Sequence, residues 1–183
     1  MNEEILKIVK KNEEIARKFS KIETKISLAS SVRELFEVLL PGIEEEFEIP
    51  FVWLSLVANG KGLPRIKREV SSLIETLYSS EIFKDRLNII EQAAFLDLIA
   101  HDTVPVLANG DLKPFYKLFP QSKKFLIKSL AIAPLALDGD IIGSLNHGDF
   151  SRLRYQPGMD TSLLAQLATK VSSCLSDIMA RER

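Results

Sequence analysis

The 183-residue sequence contains very few of the residues that build redox and metal sites. It has one cysteine and two histidines. A single thiol cannot form an internal disulfide, which favours a reducing, cytoplasmic compartment. Zinc and similar ions take three or four converging ligands, and His101 has no second histidine at ligand spacing. We therefore predict no metal site and no cofactor.

The sequence also lacks an excess of charge and a long hydrophobic run. Twenty-four Lys and Arg residues oppose 25 Asp and Glu residues, for a net charge of −1. This balance gives no reason to expect nucleic acid or an anionic membrane as a partner. No apolar stretch approaches the ~20 residues of a membrane-spanning helix, and the charged N-terminus does not resemble a signal peptide. We expect a cytoplasmic protein with no nucleic-acid partner and no membrane partner.

No proline or glycine precedes Pro41, so nothing interrupts a helix in the first 30 residues. Apolar residues recur there at the a and d positions of a heptad repeat, which is typical of a coiled coil. An asparagine at an a position favours a two-stranded parallel pair in fixed register. We predict a homodimer through this helix, with an interface formed by Ile5, Ile8, Asn12, Ile15, Phe19, Ile22 and Ile26. The alternative is a helix that packs on its own domain.

The remainder, residues 31–183, is predicted to form one domain. A capping box of Ser31 and Glu34 starts a second helix, which Pro41-Gly42 should kink or break. Strand patterns cover 51–57 and, less clearly, two short segments between residues 85 and 111, each followed by a short helix.

The strongest strand signal is a hairpin around Asp138-Gly139, followed by a long C-terminal helix. Gly143 in its second strand predicts the close approach of another element. The order of elements is not a strict β-α-β alternation. It predicts an α+β fold in which an antiparallel sheet has helices on one face and at its ends.

The hairpin and the last helix resemble the end of a GAF domain. Such domains finish with a Pro-Leu strand, a tight turn, a Gly-x-Leu strand and a helix, and Pro134-Leu135 and Gly143-Ser144-Leu145 match this pattern. The stretch "RYQPGMDTSLLAQL" is similar to the C-terminal signature of a bacterial GAF-like family, domain of unknown function 484. The matching residues are Tyr155, Pro157, Gly158, Met159, Thr161 and Leu164.

The resemblance implies a GAF-like (profilin-like) sheet preceded by a long helix, and a role in ligand sensing, regulation or dimerisation. It implies no particular ligand or reaction. In GAF domains ligands usually sit between the sheet and the middle elements of the chain. The pocket candidates at or near these positions are Arg86, Asn109, Asp111, Tyr116, His147 and Asp149.

Residues suited to catalysis are scarce. Cys174 lies on the apolar stripe of the last helix with no histidine nearby in sequence, which is typical of a small buried side chain rather than a nucleophile. The sequence has no phosphate-binding glycine loop and lacks the Asn-Lys-Phe-Asp-Glu signature of cyclic-nucleotide GAF domains. We predict no catalytic residue and no enzymatic activity.

Two hypotheses stay open, and a third, an enzyme of unknown type, has the least support because no acid–base or nucleophile constellation appears. In the first, the chain is a dimeric sensory or regulatory module that binds a small molecule over the sheet. In the second, it is a dimerisation and protein-interaction module whose pocket position is filled and dry. Because the given sequence ends at Arg183 without an output domain, we expect any signal to pass to a separate output protein.

Overall fold

The computed structural model describes residues 2–58, 60–99, 102–120, 123 and 125–183. Within them, the helices are α1 (Glu3–Ser27), α2 (Val32–Phe47), α3 (Pro64–Tyr78), α4 (Gln92–Ile99) and α5 (Ser162–Glu182). The strands are β1 (Phe51–Ala58), β2 (Leu87–Glu91), β3 (Val106–Asn109), β4 (Ser129–Leu137) and β5 (Asp140–Asp149). Two short 3-10 helices cover Glu81–Phe83 and Lys113–Leu118. None of the helices in the described ranges combines the length and apolarity needed to cross a bilayer.

The five strands form one mixed sheet in the order β2-β1-β5-β4-β3. The predicted α+β architecture is confirmed, but the sheet is not entirely antiparallel. β1 and β2 run parallel, whereas the other neighbouring pairs are antiparallel. The reason is the α3 crossover, because a helical connection returns the chain to the starting end of the sheet before the next strand begins.

The sheet is covered on both faces, not on one as the sequence predicts. Helices α1, α2, α3 and α5 pack on the first face, called here the helix face, with strand residues such as Leu54, Ala133 and Leu145. Helix α4 and residues 112–119, called here the plug segment, cover the second face, or plug face, which includes Trp53 and Ile132. The strands are therefore buried over most of their length, as both hairpin strands are.

Helix α2 continues through Pro41, so of the predicted kink or break, the break is wrong. Proline removes one backbone donor from a helix and crowds the preceding turn. Three fully buried side chains around it, Leu39, Leu40 and Ile43, pack in the helix-face core. Their burial outweighs the local cost and keeps the segment helical.

Helix α1 divides into two parts with different environments. Near its start Ile5 and Ile8 are 52% and 60% exposed, whereas Ile22 and Ile26 are 2% and 0% exposed. The assignment of Ile22 and Ile26 to a dimer interface is therefore corrected: both lie in the core of their own chain, against α2 and α5. Ile22 and Ile26 are buried because both neighbouring helices, α2 and α5, present apolar side chains to this part of α1.

Phe19 stands at the transition between the two parts of α1. Its ring is half-buried and lies 4.6 Å, centroid to centroid, from the ring of Phe47 at the end of α2. Ile15 is half-exposed and Asn12 is exposed. The prediction of a helix packed on its own domain thus describes the second half of α1, and the heptad seam is open only in the first half.

The hairpin between β4 and β5 has the predicted turn. Asp138 and Gly139 both have positive φ angles, 49° and 88°, as the favoured two-residue hairpin turns require. Gly143 lies directly against the neighbouring strand: a Cβ atom there would overlap the Ser55 carbonyl oxygen. The close approach predicted at this glycine is therefore present.

Candidate functional site

The plug face, where the resemblance places a ligand, is filled by packed side chains. Trp53 and Phe119 meet edge to face, with ring centroids 5.6 Å apart. The other buried side chains of this cluster include Phe95, Leu112, Leu118, Leu130 and Ile132. The plug segment itself supplies three of these residues, so the chain occupies the space that a ligand would need.

A buried chain of hydrogen bonds fastens the plug segment to the central strands. The Ser144 hydroxyl donates to Asn146 Oδ1 (2.8 Å), and Asn146 Nδ2 donates to the Ser55 hydroxyl (3.0 Å). Ser55 Oγ and Trp53 Nε1 both donate to the carbonyl oxygen of Leu118, each at 2.9 Å. Every donor named here has an acceptor, which buried polar groups require for stability. The network therefore closes the plug face and leaves none of these groups to a ligand.

His147 lies on the opposite face from this network. It pairs with Val52 across the β1–β5 ladder, while Asn146 pairs with Trp53, and neighbouring residues of a strand point to opposite faces. The imidazole is buried, and Nε2 has no hydrogen-bond partner among the described residues. Burial, with a smaller contribution from Arg154, lowers the pKa of His147 to about 3.

Asp149 and Arg154 hold the end of β5 near that histidine. The Arg154 guanidinium is 3.5 Å from an Asp149 carboxylate oxygen and donates to the Phe47 carbonyl oxygen (2.6 Å). Tyr155 is packed beside His147, with ring centroids 6.1 Å apart, and burial raises the pKa of its phenol. These contacts join the "RYQPGMDT" segment to the sheet and to the end of α2.

The remaining pocket candidates are dispersed. Arg86 is half-buried, pairs with Glu44 at 3.0 Å and lines a cavity of about 240 Å³. Asn109 donates to the Arg152 carbonyl oxygen (2.9 Å), and Asp111 accepts from the Lys113 amide (3.1 Å).

Tyr116 belongs to the plug segment and packs near Phe119. Because His147 lies on the helix face and Tyr116 on the plug face, the six candidates do not line one pocket. The sequence showed that these residues are polar or aromatic, but not which face of the sheet each one occupies.

A different cavity lies outside the end of the sheet. The strands β1 and β2 end side by side there, and the chain leaves β1 into α3 on the helix face and leaves β2 into α4 on the plug face. The two helices separate at this point and leave a crevice of about 400 Å³ between them. It is closed at a third side by the β4–β5 hairpin, through residues 139–142.

The crevice has an apolar body and a charged rim. Its apolar lining consists mainly of Val57, Ile66, Val70, Ile74, Leu96, Ile141 and Ile142. Lys61 and Lys67 line it together with one carboxylate, Asp140. Neither lysine side chain makes a hydrogen bond or ion pair with a residue that the structure describes.

The loop that forms one wall of the crevice is held by Gln92, the first residue of α4. The Lys61 amide donates to Gln92 Oε1 (2.6 Å), and Gln92 Nε2 donates back to the Lys61 carbonyl oxygen (3.3 Å). Gly60 packs so closely that a Cβ atom there would lie 3.3 Å from Gln92 Nε2. This reciprocal pair fixes the loop against α4.

The sequence pattern alone reveals neither the crevice nor the buried polar network. Lys61 and Lys67 stand in a basic cluster that the sequence gives no reason to separate from ordinary surface lysines. The sequence feature that could have indicated the crevice is the pair of strand–helix junctions, because an amphipathic or apolar helix follows both β1 and β2. Which face each helix takes is decided only by tertiary packing.

The scarcity of reactive groups continues in the structure. Cys174 is half-buried on α5, and burial raises the pKa of its thiol. The described part of the chain contains no group of three His, Cys, Asp or Glu side chains arranged to hold a metal ion. His101, considered above as a metal ligand, lies outside the described residues.

Comparison with solved structures shows a protein of similar fold. The chain is similar to a structure described as the far-red absorbing dark state of JSC1_58120g3 with bound biliverdin IXa. The two share 13% sequence identity at a TM-score of 0.54, and the match covers 90% of this chain and 98% of the other. The fold is GAF-like. No family model and no curated protein matches the sequence.

Proposed function

We propose that this GAF-like chain is a non-enzymatic regulatory module that works as a homodimer. The observation that carries the proposal is the contrast within α1. Its first half exposes the apolar side chains Ile5, Leu6, Ile8 and Val9, each more than 40% accessible. Its second half is embedded in the core through Ile22 and Ile26.

The exposed half fits a second copy of the same helix. A heptad seam with an asparagine at an a position favours a parallel pair, and burying the apolar stripe against its own copy removes it from water. Because α1 is one continuous helix, a change in the pairing of the two helices would reach the core of each chain directly. That continuity supports a regulatory role rather than simple attachment.

A ligand-binding role is the second candidate. The related structure holds a biliverdin, which supports a sensory function for this chain as well. The side chains that the structure describes on the plug face leave no space for a comparable ligand, so a small molecule would need another site. A pure interaction module without ligand is the alternative, and in either case we expect a separate output protein to receive the signal.

The finer family assignment and the compartment are part of the proposal. The Tyr155, Pro157-Gly158-Met159 and Thr161 motif supports membership in the domain-of-unknown-function-484 type of bacterial signalling proteins. The single cysteine supports a cytoplasmic location. The raised pKa of its thiol supports the absence of a cysteine nucleophile.

Sedimentation velocity over a range of concentrations tests the dimer. We expect the full chain to sediment as a dimer and the double substitution Ile5→Glu with Ile8→Glu to sediment as a monomer, because two charges would face their copies across the seam. Lys10→Glu, on the opposite side of the same helix, is the matched control and should leave the dimer intact. A monomeric full chain, or a dimer that survives the seam charges, contradicts the proposal.

A further inference from the structure

We propose that the crevice between α3 and α4 binds a small organic anion with an apolar body. The inference goes beyond the proposed dimerisation and does not depend on it. It names a site at the end of the sheet, distinct from the closed plug face.

The topology of the sheet favours a ligand site at this end. In open α/β sheets, ligands bind outside the carboxyl ends of parallel strands, where neighbouring connections leave toward opposite faces. The β1–β2 pair is the parallel pair of this sheet, and its two connections diverge in this way. The crevice is therefore a consequence of the strand order and of the divergence of α3 and α4.

The size and the lining of the crevice suit a small molecule. The volume of about 400 Å³ lies within the range of about 300–1,000 Å³ typical of small-molecule sites. Such sites combine a mainly apolar wall with a few polar groups. Here the aliphatic side chains of α3, α4 and β5 form the wall, and the Gln92 clamp holds the loop that closes it. A wall fixed before binding lowers the entropy lost when a ligand binds.

The charges along the crevice favour an anion. Two lysines that have no ion-pair partner among the described residues line the crevice together with a single carboxylate, Asp140. Helix α3 begins with Pro64, between the lining residues Gly62 and Ile66, and no side chain caps its first turn. The positive end of the helix dipole therefore adds to the two ammonium groups. Glu91 and Asp97 line an adjoining cavity that shares Ala58, Lys61, Gln92 and Leu96 with the crevice, but neither carboxylate lines the crevice itself.

Together these features select a carboxylate, sulfonate or similar anion attached to an apolar group. The anion would sit near Lys61 and Lys67, and the apolar part would lie against Ile66, Val70 and Leu96. A purely polar anion would leave the aliphatic wall in contact with water, and an apolar amine would meet the two lysines with charge of the same sign.

Fluorescence titration with 8-anilinonaphthalene-1-sulfonate, an aromatic sulfonate, tests the site on the full chain. We expect saturable binding that octanoate displaces and octylamine does not. Ser71→Phe fills the crevice and should weaken binding roughly tenfold or more by steric overlap. Lys67→Met should weaken it about threefold by removing one charge at an exposed rim.

Matched controls come from the next residues of α3. Ser72→Phe and Arg68→Met make the same changes outside the crevice and should leave the titration unchanged. An unchanged titration in Ser71→Phe overturns the site. Loss of binding in Phe125→Ser, a substitution of an exposed aromatic residue at the opposite end of the sheet, would place the dye there instead and would also overturn it. Displacement by octylamine instead of octanoate overturns the ligand class. The same titration on the Ile5→Glu, Ile8→Glu variant shows whether binding of the dye depends on the dimer.

Discussion

The side-chain amide of Asn146 donates a hydrogen bond of 3.0 Å to the hydroxyl of Ser55 across the two central strands. Both residues are fully buried. The bond is the middle link between Ser144 and the Leu118 carbonyl oxygen, so it connects the central strands with the plug segment. A GAF-like sheet thus uses polar side chains here to hold its own chain in place.

Asn146→Ala should destabilise the fold by about 2 kcal/mol, because it leaves the buried Ser144 hydroxyl without an acceptor. Urea unfolding measures the loss as a lower midpoint at constant slope. Asn88→Ala is the control, since Asn88 also donates to the plug segment, at the Lys117 carbonyl oxygen, but is only partly buried and makes a solvent-exposed hydrogen bond. Equal losses in the two variants would show that burial of the network is unimportant.

Two glycines should respond to alanine in opposite directions. Gly143→Ala should cost about 3 kcal/mol or more, because the new methyl group would overlap the Ser55 carbonyl oxygen and force β1 and β5 apart. Gly42→Ala, inside α2 with nothing within 4 Å of the added Cβ, should stabilise the fold by about 0.5–1 kcal/mol. Thermal unfolding of both variants gives the signs, and a tolerated Gly143→Ala would contradict the close strand contact.

Substitutions in the two parts of α1 should have different effects, one on the stability of the fold and the other on dimer formation. Ile26→Ala removes a fully buried side chain and should lower the free energy of unfolding by about 2–5 kcal/mol. Ile8→Ala, at a 60% exposed position, should leave the unfolding of the isolated chain unchanged and weaken the proposed dimer. Unfolding measured at several protein concentrations distinguishes the two effects. A stable Ile26→Ala protein would mean that this half of the helix is not part of the core.

His147 should make the fold sensitive to acid. The pKa of the buried imidazole is lowered to about 3, whereas in the unfolded chain the pKa of histidine is about 6.5. As pH falls below 6.5, the unfolded chain binds a proton that the folded chain does not, so stability decreases.

Between pH 7 and pH 5 this histidine should contribute a loss of roughly 2 kcal/mol. His147→Leu removes that contribution, so the difference in unfolding free energy between variant and wild type should change by this amount over the same range. Urea unfolding at both pH values measures it. A constant difference would mean that His147 is protonated equally readily in the folded and unfolded chain.

The local patterns determined much of this protein before any tertiary structure was considered. The Ser31 cap, with its hydrogen bond from the Glu34 amide, and the Asp138-Gly139 turn depend on neighbouring residues and were predicted correctly. The apolar periodicities of α2, α3 and α5 likewise fix which side of each helix is buried, because burial of a continuous stripe is the dominant gain on folding.

Only the tertiary structure decided how these elements are shared between faces. The strand direction of β2, the division of α1 into an exposed and a buried half, and the closure of the plug face by the Leu118 carbonyl oxygen all depend on contacts between residues distant in sequence. The crevice between α3 and α4 arises in the same way. A sequence pattern indicates which residues are buried, but the packing of whole elements determines which residues they contact and where a cavity remains.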